Sequence, residues 1–182
     1  MKKIRLGVIG VGSHGTGHVR NIRNGMTPEI EVAAICDVDP EAIARVQKEF
    51  GDIPAFSDSH ELIVSGLVDA VLIVTPHYFH PPISMDAMEH GLHVMCEKPA
   101  GVYTKQVKEM NAVAEKTGMV FGMMFNQRTN PVYIKTWNWY RAANSARSAG
   151  SAGSSPTGTV PRLTTIPVPG GPPGPAKAAV SC

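Results

Sequence analysis

A glycine-rich turn directly follows the first apolar run of this chain and restricts the folds open to it. Residues 4–9 read as a buried strand, and the next six residues have the pattern G-x-G-x-x-G. The first glycine permits a tight turn, the second lets the backbone approach a pyrophosphate, and the third lets the following helix pack against the strand. That helix then offers free N–H groups to an anion. The turn consists of Gly10, Val11, Gly12, Ser13, His14 and Gly15.

Further apolar runs alternate with helical patterns as far as about Gln127. Residues 71–74 are apolar at every position, which is typical of a strand that helices cover on both faces. This alternation predicts an α/β fold, a doubly wound parallel Rossmann sheet with helices on both faces. The expected strands are residues 4–9, 31–36, 69–75, 92–96 and 119–125, with a short edge strand at residues 52–56.

Two helices are marked by signals at their ends. Asp39 and Pro40 suit the N-cap and first position of one helix, and Gly51 suits its end. A second helix is expected to begin at Thr104 and to end at Gly118.

Asp37 ends the second expected strand, 22 residues after the last glycine of the turn. A carboxylate at this distance accepts hydrogen bonds from both ribose hydroxyls of a bound dinucleotide. Because it also disfavours a 2′-phosphate, Asp37 predicts NAD as the cofactor in preference to NADP. The alternative is that Asp37 is a turn residue or a helix cap.

The fourth expected strand ends in a proline-rich turn at the same edge of the sheet. Thr75 and Pro76 begin this turn, and the neighbouring prolines restrict the backbone so that Thr75 and His80 are held beside a bound dinucleotide. For His80 the alternative is a structural role at the start of the next helix.

Glu97, Lys98 and Pro99 follow the next strand. A lysine here brings an ammonium group to the carboxyl edge, where open α/β sheets bind their ligands. It can hydrogen-bond a substrate hydroxyl and exchange its proton during hydride transfer, so Lys98 is the candidate catalytic residue and Glu97 is assigned to the cofactor site. The alternative is a solvated lysine.

Together these motifs resemble the N-terminal half of the glucose-fructose oxidoreductase and inositol dehydrogenase family (Gfo/Idh/MocA). The resemblance spans residues 1 to about 135 and implies an NAD(P)-binding Rossmann domain at residues 1–128, with Lys98 serving at the nicotinamide and the substrate. In full-length relatives it implies a sugar or polyol substrate and a C-terminal α+β domain with an Asp-x-x-x-His acid/base pair. This chain has no Asp or Glu after Glu115 and no His after His93, so it lacks that pair. The remaining matches are Gly91, His93, Val94, Phe125, Arg128 and Pro131.

Residues 129–182 differ in composition from the rest of the chain. From Ser145 onward Ser, Gly, Ala, Pro and Thr dominate without a helical or strand period, which predicts a disordered, low-complexity tail in place of the family's second domain. In a shifted reading frame, residues 137–140 encode Glu-Leu-Val with any choice of codons, and later segments regain carboxylates and aromatic side chains. We therefore interpret the tail as a frameshifted reading of that domain, which the nucleotide sequence tests.

Composition argues against several other classes of protein. The basic residues of the tail are scattered, so nucleic acid is not an expected partner, and no apolar run is long enough to span a membrane. The N-terminus lacks a signal-peptide pattern, which favours the cytoplasm. Three widely spaced cysteines argue against a zinc framework, so no metal is expected. They are Cys36, Cys96 and Cys182, of which the first two are expected in the core.

The sequence therefore predicts an NAD(P)-dependent oxidoreductase domain for sugar- or polyol-like hydroxy compounds that is inactive as written. Two alternatives are a non-catalytic dinucleotide-binding module or sensor and a Rossmann methyltransferase, although the latter leaves the Glu97-Lys98-Pro99 turn unexplained. The oxidoreductase prediction requires Asp37 and Lys98 to face a common crevice floored by the glycine turn.

Overall fold

The computed structural model describes residues 2–150 and the side chains of residues 2–144. Six strands form one sheet, and every neighbouring pair is parallel. The strands are β1 Ile4–Ile9, β2 Ile30–Cys36, β3 Ala55–Phe56, β4 Ala70–Ile73, β5 His93–Glu97 and β6 Phe121–Met124. Their order across the sheet is β3-β2-β1-β4-β5-β6. This order confirms the predicted doubly wound Rossmann sheet, with strand ends that differ from the prediction by up to three residues.

Five helices cover the two faces of the sheet. They are α1 Ser13–Arg23, α2 Pro40–Phe50, α3 Ser59–Val64, α4 His80–Glu89 and α5 Thr104–Thr117, and a further helix, α6, spans Pro131–Gly150. Val19 of α1 and Val46 of α2 are buried in one apolar cluster, whereas Leu62, Met88 and Met110 from α3, α4 and α5 are buried in another. The two clusters are the two layers of core that an all-parallel sheet requires.

The predicted end signals of α2 and α5 are confirmed. The Asp39 side chain accepts a hydrogen bond from the backbone N–H of Glu41 at 2.9 Å, and Pro40 occupies the first helical position of α2. Gly118 adopts the left-handed conformation that ends α5. Between β3 and β4 the structure adds the short helix α3, which Asp58 caps through the backbone N–H groups of His60 and Glu61.

Helix α6 corrects the prediction that residues 129–182 lack regular structure. Pro131 occupies its first position, and the Asn130 side chain caps it by accepting a hydrogen bond from the N–H of Val132 at 3.0 Å. The side chains of residues 131–144 are exposed, so no buried face marks this helix, although Tyr133, Trp137 and Tyr140 recur at helical spacing. Residues 151–182 lie outside the described residues. They include Cys182 and most of the segment that the sequence predicts to be disordered.

The chain divides into two compact units, Met1–Ile134 and Lys135–Cys182. The first contains the whole sheet and all candidate site residues. Within residues 2–150, no helix combines the length and apolar content needed to cross a bilayer.

An ion pair between Arg5 and Asp69 ties β1 to the beginning of β4. The Arg5 guanidinium donates to the Asp69 carboxylate at 2.7 and 3.1 Å, and the backbone N–H of Arg5 donates to it at 3.0 Å. These hydrogen bonds hold the pKa of the Asp69 carboxyl well below its usual range. The pair lies at the amino ends of the strands and leaves the carboxyl edge free for the site.

At the carboxyl edge, two glycines allow backbone segments to approach more closely than side chains permit. Gly10 has a φ of 90°, and a Cβ atom there would lie 2.8 Å from the carbonyl carbon of Val74. A Cβ atom on Gly15 would overlap the carbonyl oxygen of Gly10. Helix α1 can therefore begin close against β1 only with glycine at both positions.

We predict that Gly15→Ala lowers the free energy of unfolding by about 1–3 kcal/mol, because the new methyl group forces the turn away from α1. The matched control is Gly17→Ala on the same helix, where a Cβ atom meets nothing within 4 Å. That variant should keep or raise stability by up to about 1 kcal/mol, since alanine favours helix more than glycine. Urea unfolding followed by circular dichroism measures both, and equal stability of Gly15→Ala and the original chain would contradict the packing argument.

Candidate cofactor and active site

The amino end of α1 opens at the carboxyl edge of the sheet. Gly12 is the N-cap residue, and no described side chain caps the helix there. A Cβ atom on Gly12 would meet nothing within 4 Å, so the space in front of the helix is open. Free N–H groups and the positive end of the helix dipole make this space suitable for an anion such as a pyrophosphate. Ser13 is the first residue of α1, beside this opening.

Asp37 lies directly after β2 and connects this strand to the glycine turn. Its carboxylate accepts hydrogen bonds from the backbone N–H groups of Val11 at 2.8 Å and of Asp39 at 3.0 Å. The bond to Asp39 is an Asx turn, whereas the helix-cap role belongs to Asp39 itself. Asp37 is half-buried, and each of its oxygens has a further lone pair for a ribose hydroxyl.

A shallow cavity of about 170 Å³ lies on the other side of the glycine turn. Of the predicted site residues, the structure brings His14, Thr75, His80, Glu97 and Lys98 together around it. The complete lining is His14, Val74, Thr75, His77, His80, Glu97 and Lys98. His14, a residue of the glycine turn, is exposed and lines this cavity.

The hydroxyl of Thr75 is buried and has no hydrogen-bond partner within the described part of the chain. A buried hydroxyl without a partner is unfavourable by roughly 1–3 kcal/mol, so such groups need an explanation. Because Thr75 lines the cavity, a polar ligand bound there can supply the missing partner. The residues that line the cavity therefore suit a nucleotide cofactor, whose polar groups can bond to the Thr75 hydroxyl.

His80 is the first residue of α4 and is 1% exposed. Its Nδ1 lies 2.7 Å from the carbonyl oxygen of Pro99, and its Nε2 lies 2.8 Å from that of Thr75. A carbonyl can only accept, so the neutral ring donates to one of them and the protonated ring to both. His80 thereby joins the turns that follow β4 and β5, and both of its nitrogens are used within the protein.

The Glu97 carboxylate is buried and held from two sides. His18 of α1 contacts its Oε1 through Nε2 at 3.0 Å, and the backbone N–H of Lys98 donates to its Oε2 at 3.1 Å. The exposed Lys98 side chain lies at the mouth of the cavity. Sequence reasoning missed His18, although its place four residues after His14 on the same helix face was an available signal.

The structure places Asp37 and Lys98 at the same edge of the sheet, on opposite sides of β1. Strands β2 and β5 are three positions apart, which corresponds to about 14 Å. Asp37 is not part of the cavity that Lys98 lines.

Pro76 precedes a short 3₁₀ turn over His77–Phe79, and its carbonyl accepts the N–H of Phe79 at 2.9 Å.

Both described cysteines lie in the core, as predicted. Burial raises the pKa of the Cys36 thiol to about 12 and that of the Cys96 thiol to about 12. The thiolate is the reactive form, so neither residue is a nucleophile near neutral pH.

We predict that a Cys182→Ser variant resists iodoacetamide at pH 8 while folded, because a thiol of pKa about 12 is almost entirely protonated there. Labelling should accelerate only as the pH rises toward that value. Intact mass measures the labels, and the same variant in urea should take up two of them as a control. Rapid labelling of the folded variant at pH 8 would show that the thiols are accessible and ionised.

Comparison with known proteins identifies the family. The model of the Gfo/Idh/MocA group, described as an oxidoreductase family with an NAD-binding Rossmann fold, matches residues 4–125. Inositol 2-dehydrogenase of Corynebacterium glutamicum is 32% identical over 135 residues, which cover 72% of this chain and 39% of that protein.

Solved structures show the same domain. Scyllo-inositol dehydrogenase from Lactobacillus casei, with bound NAD(H) and scyllo-inositol, superposes with a TM-score of 0.74 and 26% identity over 79% of this chain and 42% of that one. The WlbA dehydrogenase from Bordetella pertussis, in complex with NADH and UDP-GlcNAcA, gives a TM-score of 0.66 at 27% identity over 71% of this chain and 40% of its own. The chain thus spans about two fifths of the length of these relatives. It belongs to the Gfo/Idh/MocA oxidoreductase family and contains the NAD-binding Rossmann domain of that family.

Proposed function

We propose that this chain binds NAD in preference to NADP and forms the cofactor half of an oxidoreductase for an inositol- or sugar-like polyol. The observation that carries the proposal is the open amino end of α1, with Asp37 on one side and the Lys98 cavity on the other. Dinucleotides bind across such a crevice at the carboxyl edge of a doubly wound sheet. The relatives that bind NAD(H) together with an inositol or a UDP-sugar support the substrate class.

Each group at the edge has a distinct part in this proposal. The N–H groups at the start of α1 hold the pyrophosphate, and the Asp37 carboxylate accepts the ribose hydroxyls and repels a 2′-phosphate. The Thr75 hydroxyl hydrogen-bonds the nicotinamide half, beside the ring of His14. NAD supplies the hydride acceptor when bound.

Lys98 is the catalytic residue of the proposal. Its ammonium donates a hydrogen bond to the reacting oxygen of the polyol, and its amine form takes up the hydroxyl proton when the alcohol is oxidised. Glu97 and His18 act as positioning residues, because the Glu97 carboxylate holds the backbone N–H of Lys98 at 3.1 Å. The alternative of a solvated lysine describes the present exposure of Lys98 but does not account for the buried carboxylate beneath it.

The cavity is too small to enclose a polyol together with a nicotinamide ring. Its volume of about 170 Å³ lies below the roughly 300–1,000 Å³ of ligand pockets. We infer that the chain binds the dinucleotide but turns substrate over inefficiently, in keeping with the absence of any carboxylate after Glu115. That absence also favours a second candidate function, a non-catalytic NAD-binding module or sensor.

We predict that Asp37→Asn weakens NADH binding about tenfold or more and narrows the preference for NADH over NADPH. The charged acceptor contributes roughly 1.5–3 kcal/mol through its ribose hydrogen bonds, and its loss removes the repulsion of a 2′-phosphate. Fluorescence titration with both dinucleotides measures this. Asp39→Asn is the matched control, since asparagine also caps a helix, and it should leave both affinities unchanged. If Asp37→Asn binds NADH as tightly as the original chain, Asp37 does not contact the cofactor.

The catalytic assignment is tested by joining residues 1–128 to the C-terminal domain of the Corynebacterium inositol 2-dehydrogenase. We predict that this chimera reduces NAD⁺ with myo-inositol and that Lys98→Met lowers its kcat/KM by about 10²–10⁴-fold, as expected for a general acid/base. Absorbance of NADH measures the rate. Lys105→Met, which removes an exposed lysine of α5, is the control and should change little. Full activity in Lys98→Met would contradict the assigned role, whereas an inactive chimera that still binds NADH would favour the sensor function.

A further inference from the structure

A second cluster of chemically active side chains lies outside the cofactor site, where α3 meets α4. His60 is in the first turn of α3, Asp86 is on α4, and His90 directly follows α4. The two histidines are 30 positions apart in the sequence. The fold brings both rings to one carboxylate, with ring centroids 5.2 Å apart.

The three side chains are already arranged around a common point. Nδ1 of His60 lies 3.0 and 3.2 Å from the two carboxylate oxygens of Asp86, and Nδ1 of His90 lies 3.1 Å from one of them. Taking one ligand atom from each residue, all three atoms lie within 4.8 Å of one another. Two ligands at 2.0–2.1 Å from a tetrahedral zinc ion are separated by about 3.3 Å, which is close to the 3.0–3.2 Å between each ring nitrogen and the Asp86 carboxylate.

We propose that His60, Asp86 and His90 form a binding site for a divalent transition-metal ion of the zinc type. Two imidazoles and one carboxylate suit Zn²⁺, Co²⁺ or Ni²⁺, whereas Mg²⁺ and Ca²⁺ prefer sites made entirely of oxygen. In the proposed complex the metal ion takes the position between the two ring nitrogens and the Asp86 carboxylate, and no proton remains on the nitrogens that bind it. Nδ1 of His90 also lies 2.8 Å from the backbone oxygen of Asp86, a contact that metal binding breaks.

This site is structural and does not rest on the proposed NAD function. It lies at the opposite end of α4 from His80, about 15 Å along the helix. A metal ion there joins α3 to α4 through side chains from both helices. Because the ion binds the folded chain, it also raises the free energy of unfolding, by an amount that grows with the logarithm of the free ion concentration above its Kd. Three protein ligands leave one coordination position for water, and the rings and carboxylate are all partly exposed to admit it.

The test is calorimetric titration of the tag-free 182-residue chain with ZnCl₂ after removal of bound metals by EDTA. We expect binding of one ion, with Co²⁺ giving the visible absorption of a tetrahedral complex. We expect the zinc affinity to fall at least about tenfold in each of three variants, His60→Gln, Asp86→Asn and His90→Gln. Losing a residue that only orients a metal ligand already lowers metal affinity by about tenfold or more, and losing the ligand itself lowers it further. Each variant is first checked for native circular dichroism.

His93→Gln is the control. His93 is an exposed histidine outside the cluster that accepts a hydrogen bond from the N–H of Val120, as glutamine also can. It should keep the original affinity. Absence of zinc binding by the original chain, or unchanged affinity in folded His60→Gln and His90→Gln, would overturn the proposal and leave the cluster as a hydrogen-bonded link between helices. Loss of NADH binding in Asp37→Asn leaves the zinc result unaffected, so the two proposals fail separately.

Discussion

The close contact between the glycine turn and its neighbours determines where every part of the candidate site lies. Gly15 lies against the carbonyl of Gly10, and Gly10 in turn lies against the backbone that joins Val74 to Thr75. Helix α1 therefore begins at the centre of the sheet edge, between the ends of β2 and β4. A single methyl group at either glycine would displace the helix, and its N–H groups would no longer lie between Asp37 and the Thr75 hydroxyl. The same contact thus serves packing and, in the proposed function, cofactor binding.

The sequence predicted the features that depend on local patterns. Strands buried on both faces, the cap at Asp39 and the stop at Gly118 are visible within a few residues, and parallel topology then places their carboxyl ends together. For this reason the sequence alone assigns Asp37, Thr75 and Lys98 to one edge of the sheet.

Most of the features that sequence reasoning missed depend on contacts between residues that are far apart in the chain. His18 meets Glu97 across 79 positions, and His60 meets Asp86 across 26, so neither pair leaves a signal in the spacing of residues. The sequence leaves His80 either beside a bound dinucleotide or in a structural role, and the folded structure shows that both of its ring nitrogens contact backbone carbonyls of neighbouring turns. Helix α6 was missed although Asn130 and Pro131 are start signals, because the Ser-, Gly- and Pro-rich composition farther along the chain predicted disorder.

In the proposed function, the exposure of Lys98 separates cofactor binding from catalysis. Two unit charges 4 Å apart interact by about 1 kcal/mol in water but by about 4 kcal/mol at an effective dielectric constant of 20. An ammonium at the open mouth of a shallow cavity is close to the value in water, so it stabilises a developing alkoxide only weakly. Covering the ammonium with protein lowers the effective dielectric constant and strengthens the interaction. The difference of about 3 kcal/mol corresponds to roughly a hundredfold in rate, which the fold described here can supply only when another surface closes over Lys98.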